Sequence, residues 1–289
     1  MPADKSALKE TYRSVVAAWE CDVMGHLTIA YYFDRFGDAA MNLVEMLSPS
    51  LPPAAAWRTE RVFVRYHHEL RAGDGLFIRS GIVGSEGDAL RLGHELVRSG
   101  SGDVGTTVEH QLGPRELPYG GRDEERRQLA AAAVAWTSPG FEVIPEARHE
   151  DRLIDSGRDR IKAAEVDERG ELSLSGYVHR FAHACLHACN AFGMTPAYMR
   201  EHKRGFSTFE TRLHLLAPPP GAGDGVVLKS GLIGAGNSSI RLLHEMRHAK
   251  TGERLALFHQ SGVHFDMETR RSAPMPPELR EKAQAIVVA

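Results

Sequence analysis

Long apolar runs are missing from this 289-residue chain. The longest is Leu129 to Trp136, eight residues and mostly alanine, whereas a membrane-spanning helix needs about 20. Cysteine is scarce: Cys21, Cys185 and Cys189 are the whole set. An odd, sparse set builds no disulfide framework, so a reducing cytoplasm is the expected setting. A dominant charge is lacking too. The net charge of −3 leaves no basic footprint for nucleic acid. The first ten residues hold no apolar segment, so no secretory leader is expected. No Gly-x-Ser-x-Gly elbow, P-loop or Rossmann fingerprint occurs. What is present, 42% hydrophobic and 25% charged residues, suits a soluble globular protein of two ordinary domains or one large one.

The sequence contains itself twice. Residues 73–95, GDGLFIRSGIVGSEGDALRLGHE, return at 223–245 as GDGVVLKSGLIGAGNSSIRLLHE, at a constant offset of 150. Upstream, 19–36 (WECDVMGHLTIAYYFDRF) returns at 164–181 (AEVDERGELSLSGYVHRF), at an offset of 145. Identities there include Glu20/Glu165, Asp22/Asp167, Gly25/Gly170, Tyr32/Tyr177 and Arg35/Arg180. The second copy therefore carries five extra residues, most of which fit the Pro-rich stretch 217–223. Arg65-Tyr66-His67 and Arg212-Leu213-His214 align at an offset of 147. Charged helical segments close the copies, Asp123–Ala130 and Glu278–Ala285. A period near 150 is too long for a solenoid and reads as a duplicated domain. The boundary falls near 137–148, giving domains 8–140 and 148–289.

Each copy reads as a helix followed by strands. Phe33, Phe36, Ala40, Leu43, Val44 and Leu47 recur every three or four residues, one face of an amphipathic helix. Adding 145 gives Val178, Phe181, Cys185, Ala188, Cys189 and Phe192. Downstream, Leu90, Leu92, His94 and Leu96 alternate with Arg91, Gly93, Glu95 and Val97, the period of a half-buried strand. Ile240, Leu242, His244 and Met246 repeat it. Last strands hold Glu109-His110-Gln111 and Phe258-His259-Gln260. One long helix, then three or four antiparallel strands able to wrap it, is an α+β plan.

The string Trp19-Glu-Cys-Asp22-Val-Met-Gly25-His26, running into a helix with Tyr31-Tyr32, resembles the hotdog-fold acyl-CoA thioesterases of the 4-hydroxybenzoyl-CoA thioesterase type. Their signature is Asp-x-x-Gly-His leading into the central helix. The Gly-Asp-Gly start of one strand and the Arg-Leu-x-His-Glu strand look like that family as well. The Gly-His-x-x-x-Ala-Tyr-Tyr run is also similar to the betainyl- and carnitinyl-type branch. The resemblance implies two hotdog domains in tandem, a double hotdog, with active sites between paired hotdogs. It implies acyl-CoA as substrate and no cofactor. A dimer of double hotdogs would cover exposed sheet edges and helix faces.

Thioester hydrolysis needs an activated water or a nucleophile, and donors for an oxyanion. Asp22 can be general base, or nucleophile through an anhydride; the plainer alternative is that it caps a turn. Gly25 allows a carbonyl to come close, and helix-start amides offer oxyanion donors. His26 can orient the carboxylate or touch the carbonyl, or simply pack. Asp167 is the matching acid of the second copy, but Glu171 replaces the histidine there. Arg65, His67, Arg212 and His214 could meet CoA phosphates or line a surface strand. His94 and His244 read as satisfied core histidines. His183, Cys185, His187 and Cys189 cannot converge on one zinc ion, because the thiols lie about 200° around the helix from the imidazoles. Two further functions stay open. An enoyl-CoA hydratase would show Asp-x-Asn-Pro-x-His, which is absent. A non-catalytic acyl-thioester binder is the other.

Overall fold

The computed structural model describes residues 8–22, 24–47, 56–115, 133–136, 141 and 144–289. The chain forms two compact units, Met1–Glu142 and Val143–Ala289. The helical segment expected at 123–130 and the Ser138-Pro139-Gly140 boundary lie outside the described residues.

The first unit runs β1 (Lys9–Val15), α1 (Ile29–Leu47), β2 (Trp57–Tyr66), β3 (Gly75–Glu86), β4 (Ala89–Arg98) and β5 (Val104–Pro114). Its strands pair antiparallel in the order β1-β3-β4-β5-β2. The second unit runs β6 (Ile154–Arg160), α2 (Leu174–Ala191), α3 (Pro196–His202), β7 (Arg204–Leu215), β8 (Gly225–Ala235), β9 (Ser239–His248), β10 (Arg254–Asp266), β11 (Arg271–Ser272) and α4 (Pro277–Ala285). Its main strands follow the same plan, β6-β8-β9-β10-β7. The strands before each helix, β1 and β6, are additions to the sequence reading. Both are charged edge strands with little apolar alternation, so periodicity gave no signal.

The long helices bury the expected faces. Phe33, Phe36, Ala40, Leu43 and Val44 of α1 are buried, and so are Val178, Phe181, Cys185, Ala188, Cys189 and Phe192 around α2. Leu43 and Val44 pack against Ile82, Leu90, Leu92 and Leu112 of the sheet. Cys185 and Cys189 sit in the matching cluster with Leu232, Ile240 and Leu242. Each fully buried Leu or Phe of this kind is worth about 1.5–3 kcal/mol.

The half-buried strand expected at β4 is instead covered on both faces. A short tail lies along β3 and β4 in the first unit and along β8 and β9 in the second. Val134 N donates to Ile82 O at 2.9 Å, and Val288 N donates to Leu232 O at 2.8 Å. Those valines sit over Gly81 and Gly231, where an added Cβ would meet their methyl groups at 3.1 and 2.7 Å. Beside them, Trp136 packs on Gly93, leaving 2.8 Å for a Cβ. In the second unit, Ile144, Leu153, Ile233, Leu243, Leu257 and Val288 form a core on that outer face.

Strand register corrects two alignments. Arg65 faces Thr107, whereas His214 faces Leu257, 150 residues on. Arg65 therefore matches His214, and Phe63 matches Arg212. The offset there is 149, so four of the five extra residues precede β7, where α3 stands, and one falls in the Pro-rich stretch. Likewise His110 and Gln260 occupy matching inward positions opposite Leu92 and Leu242. His259 faces the other way, because one residue of shift flips a strand's faces.

Candidate active site

The Asp22 loop is built from backbone upward. After β1, a 3-10 turn at Ala18–Glu20 turns the chain toward α1. Asp22 Oδ1 then accepts hydrogen bonds from Met24 N at 2.8 Å and His26 N at 3.1 Å. Asp22 N donates to His26 O at 2.8 Å, and Gly25 N donates to Asp22 O at 2.9 Å. Gly25 takes φ 73°, a left-handed conformation that glycine adopts without strain. The side chain of Asp22 is exposed. Its turn-capping role is thus realised, through one oxygen. Oδ2 makes no hydrogen bond among the described residues.

His26 does two things. Its backbone pairs with Arg71, and its Nε2 lies 3.2 Å from Glu69 Oε2. The ring is thus oriented by a carboxylate, which leaves Nδ1 as its other polar atom. The first-turn amides of α1 follow three residues later; Tyr31 N donates to Thr28 O at 3.0 Å, while those of Ile29 and Ala30 come too early in the helix for an intrahelical acceptor.

The second unit repeats the turn. Asp167 Oδ1 accepts from Arg169 N at 2.9 Å and Glu171 N at 3.0 Å, and Gly170 takes φ 77°. The acid–base partners do not repeat. Leu172 N bonds Pro220 O where Leu27 N bonds Leu70 O. Pro219 therefore stands where Glu69 stands, and Glu171 where His26 stands. At the helix start, Ser173 Oγ accepts from Gly176 N at 3.2 Å.

Arg65 is exposed, with its guanidinium 6.0 Å from the centroid of the Phe63 ring. His67 bonds Thr107 Oγ1 at 3.0 Å, on the segment that continues to Glu69 and Arg71. Arg212 pairs with Glu210 at 2.8 Å, both half-buried or less exposed, and His214 lies on β7 opposite Leu257. His94 and His244 are buried in the cores, each bonded through Nδ1 to a serine at 2.6 Å, but they are satisfied only on that side, since Nε2 of each is buried with no hydrogen-bond partner among the described residues. His183 and His187 are exposed, while Cys185 and Cys189 are buried.

Two features escaped sequence reading. Glu69 had no signal, since its counterpart is a proline. The other is a clamp behind the loop. Arg35 reaches Glu20 Oε1 and Oε2 at 2.9 and 2.8 Å, and Arg180 reaches Glu165 at 3.0 and 2.8 Å. Its signal was present: both pairs are repeat identities at a fixed spacing of 15.

A family model described as Thioesterase-like superfamily matches residues 16–114 and again 161–283. Among solved structures, a chain from Lactobacillus plantarum assigned as an oleoyl thioesterase superimposes with a TM-score of 0.69 at 10% identity, over 90% of this chain and 98% of its own. The 12:0-ACP thioesterase of Umbellularia californica gives 0.65 at 12% identity, over 90% and 95%. An acyl-ACP thioesterase of Bacteroides thetaiotaomicron gives 0.66 at 10% identity, over 89% and 98%. At such identities the likeness is one of fold. No curated protein matches. No helix among the described residues is long and apolar enough to cross a membrane. With the family model falling on both halves, and a double-hotdog architecture shared over nine-tenths of its length, the chain belongs to the thioesterase-like superfamily of thioester hydrolases.

Proposed function

We propose that this chain hydrolyses acyl-CoA to free acid and CoA, with turnover at the Asp22 loop of the first unit. The domains carrying the two copies are 8–140 and 148–289, the working compartment is the cytoplasm, and the assembly is a dimer of double hotdogs. The observation that supports turnover at the first unit is its set of three groups. Asp22 holds Oδ1 on two amides and keeps Oδ2 available, while His26 is backed by Glu69.

In the reaction, Asp22 takes a proton from water and hydroxide adds to the thioester carbonyl. First-turn amides of α1 meet the oxyanion, helped by the helix dipole. Gly25 gives the carbonyl room. The C–S bond then breaks and the thiolate takes the proton, with His26 as the oriented relay. Only water is consumed. In the alternative course, Asp22 attacks directly and water cleaves the resulting anhydride. Arg65 is the cationic candidate for the CoA phosphates, and His67, which partial burial and the neighbouring Arg65 hold toward the neutral form, is a hydrogen-bonding candidate beside it. In the second unit Asp167 keeps the turn without the acid–base pair, and Arg212 and His214 are its counterpart contacts.

A second reading has a specific observation behind it. Two of the solved structures similar over the full length are named as ACP thioesterases, so the thiol carrier could be a protein. Thiol release from matched acyl-CoA and acyl-ACP panels tests both. Release from acyl-CoA that falls at least about 100-fold in Asp22→Asn supports the proposal. Release from acyl-ACP alone replaces the carrier. Ligand-dependent thermal shift with neither release makes the protein a binder.

A further inference from the structure

We propose that Arg35 is a positioning residue for the Asp22 loop, an inference that rests on reading that loop as the site of turnover. Arg35 projects from the core-facing side of α1 and is 2% exposed. One guanidinium ties together three separate pieces of chain. Nη2 bonds both oxygens of Glu20, at 2.9 and 2.8 Å, and reaches Val15 O at 3.4 Å. Nη1 bonds Tyr31 O at 3.0 Å. Glu20 in turn accepts from Ala17 N through Oε2 at 2.7 Å, and its carbonyl accepts from Thr28 N at 2.9 Å. The end of β1, the 3-10 turn and the first turn of α1 are therefore fixed to one another. Asp22, Gly25 and His26 lie on the arc between Glu20 and Thr28.

The second unit carries the same device with one further ion pair, Arg180 to Asp159 at 3.1 Å. Arg180 bonds Glu165, Gly176 O at 2.9 Å and Arg160 O at 3.2 Å. The glutamates, the helix carbonyls and the strand carbonyls all match at an offset of 145. A buried ion pair is a poor source of stability, since apolar residues of like volume serve as well. What such a pair supplies is geometry, and a planar fork supplies it where an ammonium does not. Lysine in place of Arg35 cannot hold two carboxylate oxygens and two carbonyls at once.

The duplication provides its own control. Arg35→Lys and Arg180→Lys, each in the full chain, are expected to lower Tm by similar amounts. Only Arg35→Lys should lower kcat, by about 100-fold for a misplacement near 1 Å, with KM changed less than about threefold. Amide exchange should speed up at His26 and Thr28 in Arg35→Lys while α1 stays protected. Glu20→Gln, which keeps the guanidinium and its carbonyl bonds, should show the same split in milder form should Arg35→Lys fail to fold. Equal loss of kcat in both lysine variants overturns the inference, because it marks general destabilisation. Unchanged kcat with unchanged loop exchange in Arg35→Lys also overturns it. If only Arg180→Lys loses activity, the assignment of turnover to the first unit falls while the clamp stands. If the wild type releases no thiol from any acyl thioester, the functional reading falls, and loop exchange alone decides the clamp.

Discussion

Ser80 Oγ lies 2.6 Å from His94 Nδ1, and the second unit repeats the contact between Ser230 and His244 at 2.6 Å. Each serine is itself bonded at 2.6 Å to a hydroxyl on the neighbouring edge strand, Thr11 or Ser156. In the first unit His110 lies beside His94, ring centroids 5.6 Å apart, and bonds Thr59 through Nε2 at 2.8 Å. Phe36 stacks over His94 from α1. These imidazoles are sealed in the cores, and burial holds them neutral. It pushes His94 well below its usual range, and His110 and His244 down to about 3.

Acid should therefore loosen both units. The unfolded chain binds protons at these histidines from about pH 6.5 downward, while the folded chain refuses them. The stability is fully present above that pH and is lost as pH falls toward the folded values. By pH 5, His110 and His244 each cost about 2 kcal/mol. Urea denaturation at pH 8 and pH 5 checks this, with the midpoint expected to fall. His110→Gln, which copies Gln260 of the second unit, should flatten the dependence. A midpoint that does not move with pH contradicts it.

The choice between general base and nucleophile is open to isotope labelling. In a single turnover in ¹⁸O-water with enzyme in excess, a base places the label in the released acid. A nucleophile whose anhydride is opened by water at the aspartyl carbonyl places it in the Asp22 carboxylate, and the acid of that turnover carries ¹⁶O. Label found by mass spectrometry in the Asp22 peptide therefore establishes the anhydride course.

Gly93 is held against the indole of Trp136, with 2.8 Å left for a Cβ. Gly93→Ala is expected to lower stability by about 1–3 kcal/mol, the range for overpacking. Trp136→Ala in the same chain should recover part of it, so that the two changes are not additive. Thermal melts of the single and double variants measure the coupling.

Trp19 is 83% exposed on the 3-10 turn, and the matching turn Ala163–Glu165 is made with Ala164 there. The turn does not need the indole. Trp19→Ala should leave Tm within about 1 °C, since exposed substitutions stay within about 0.5 kcal/mol. It should also remove the most red-shifted, quencher-accessible part of the fluorescence, because Trp57 is buried and Trp136 is half-buried.

How much could be read beforehand differs by element. The helices were legible because Phe33, Phe36, Leu43 and their partners repeat at helical spacing in two independent copies. The first strands were not, since Lys9–Val15 and Ile154–Arg160 are edge strands whose charges mask any period of two. The Asp22 turn was legible as Asp-x-x-Gly in both halves. Glu69 was not, because it is brought to His26 by a loop about 40 residues away in sequence, and no local pattern encodes that meeting. The error at Arg212 and His214 came from matching letters across strands, where only hydrogen-bond register settles which residues correspond.

The tails over Gly81 and Gly231 bear on what was duplicated. Each half brings its own closing stroke, in residues 133–136 for one and around Val288 for the other. The ancestral piece was thus already a lidded box rather than a bare sheet and helix. A gene fragment cut just after β5 would leave that box open, with the glycine groove of β3 and β4 laid bare to any sticky neighbour. Expressing the first half in isolation calls for a stop codon beyond Trp136.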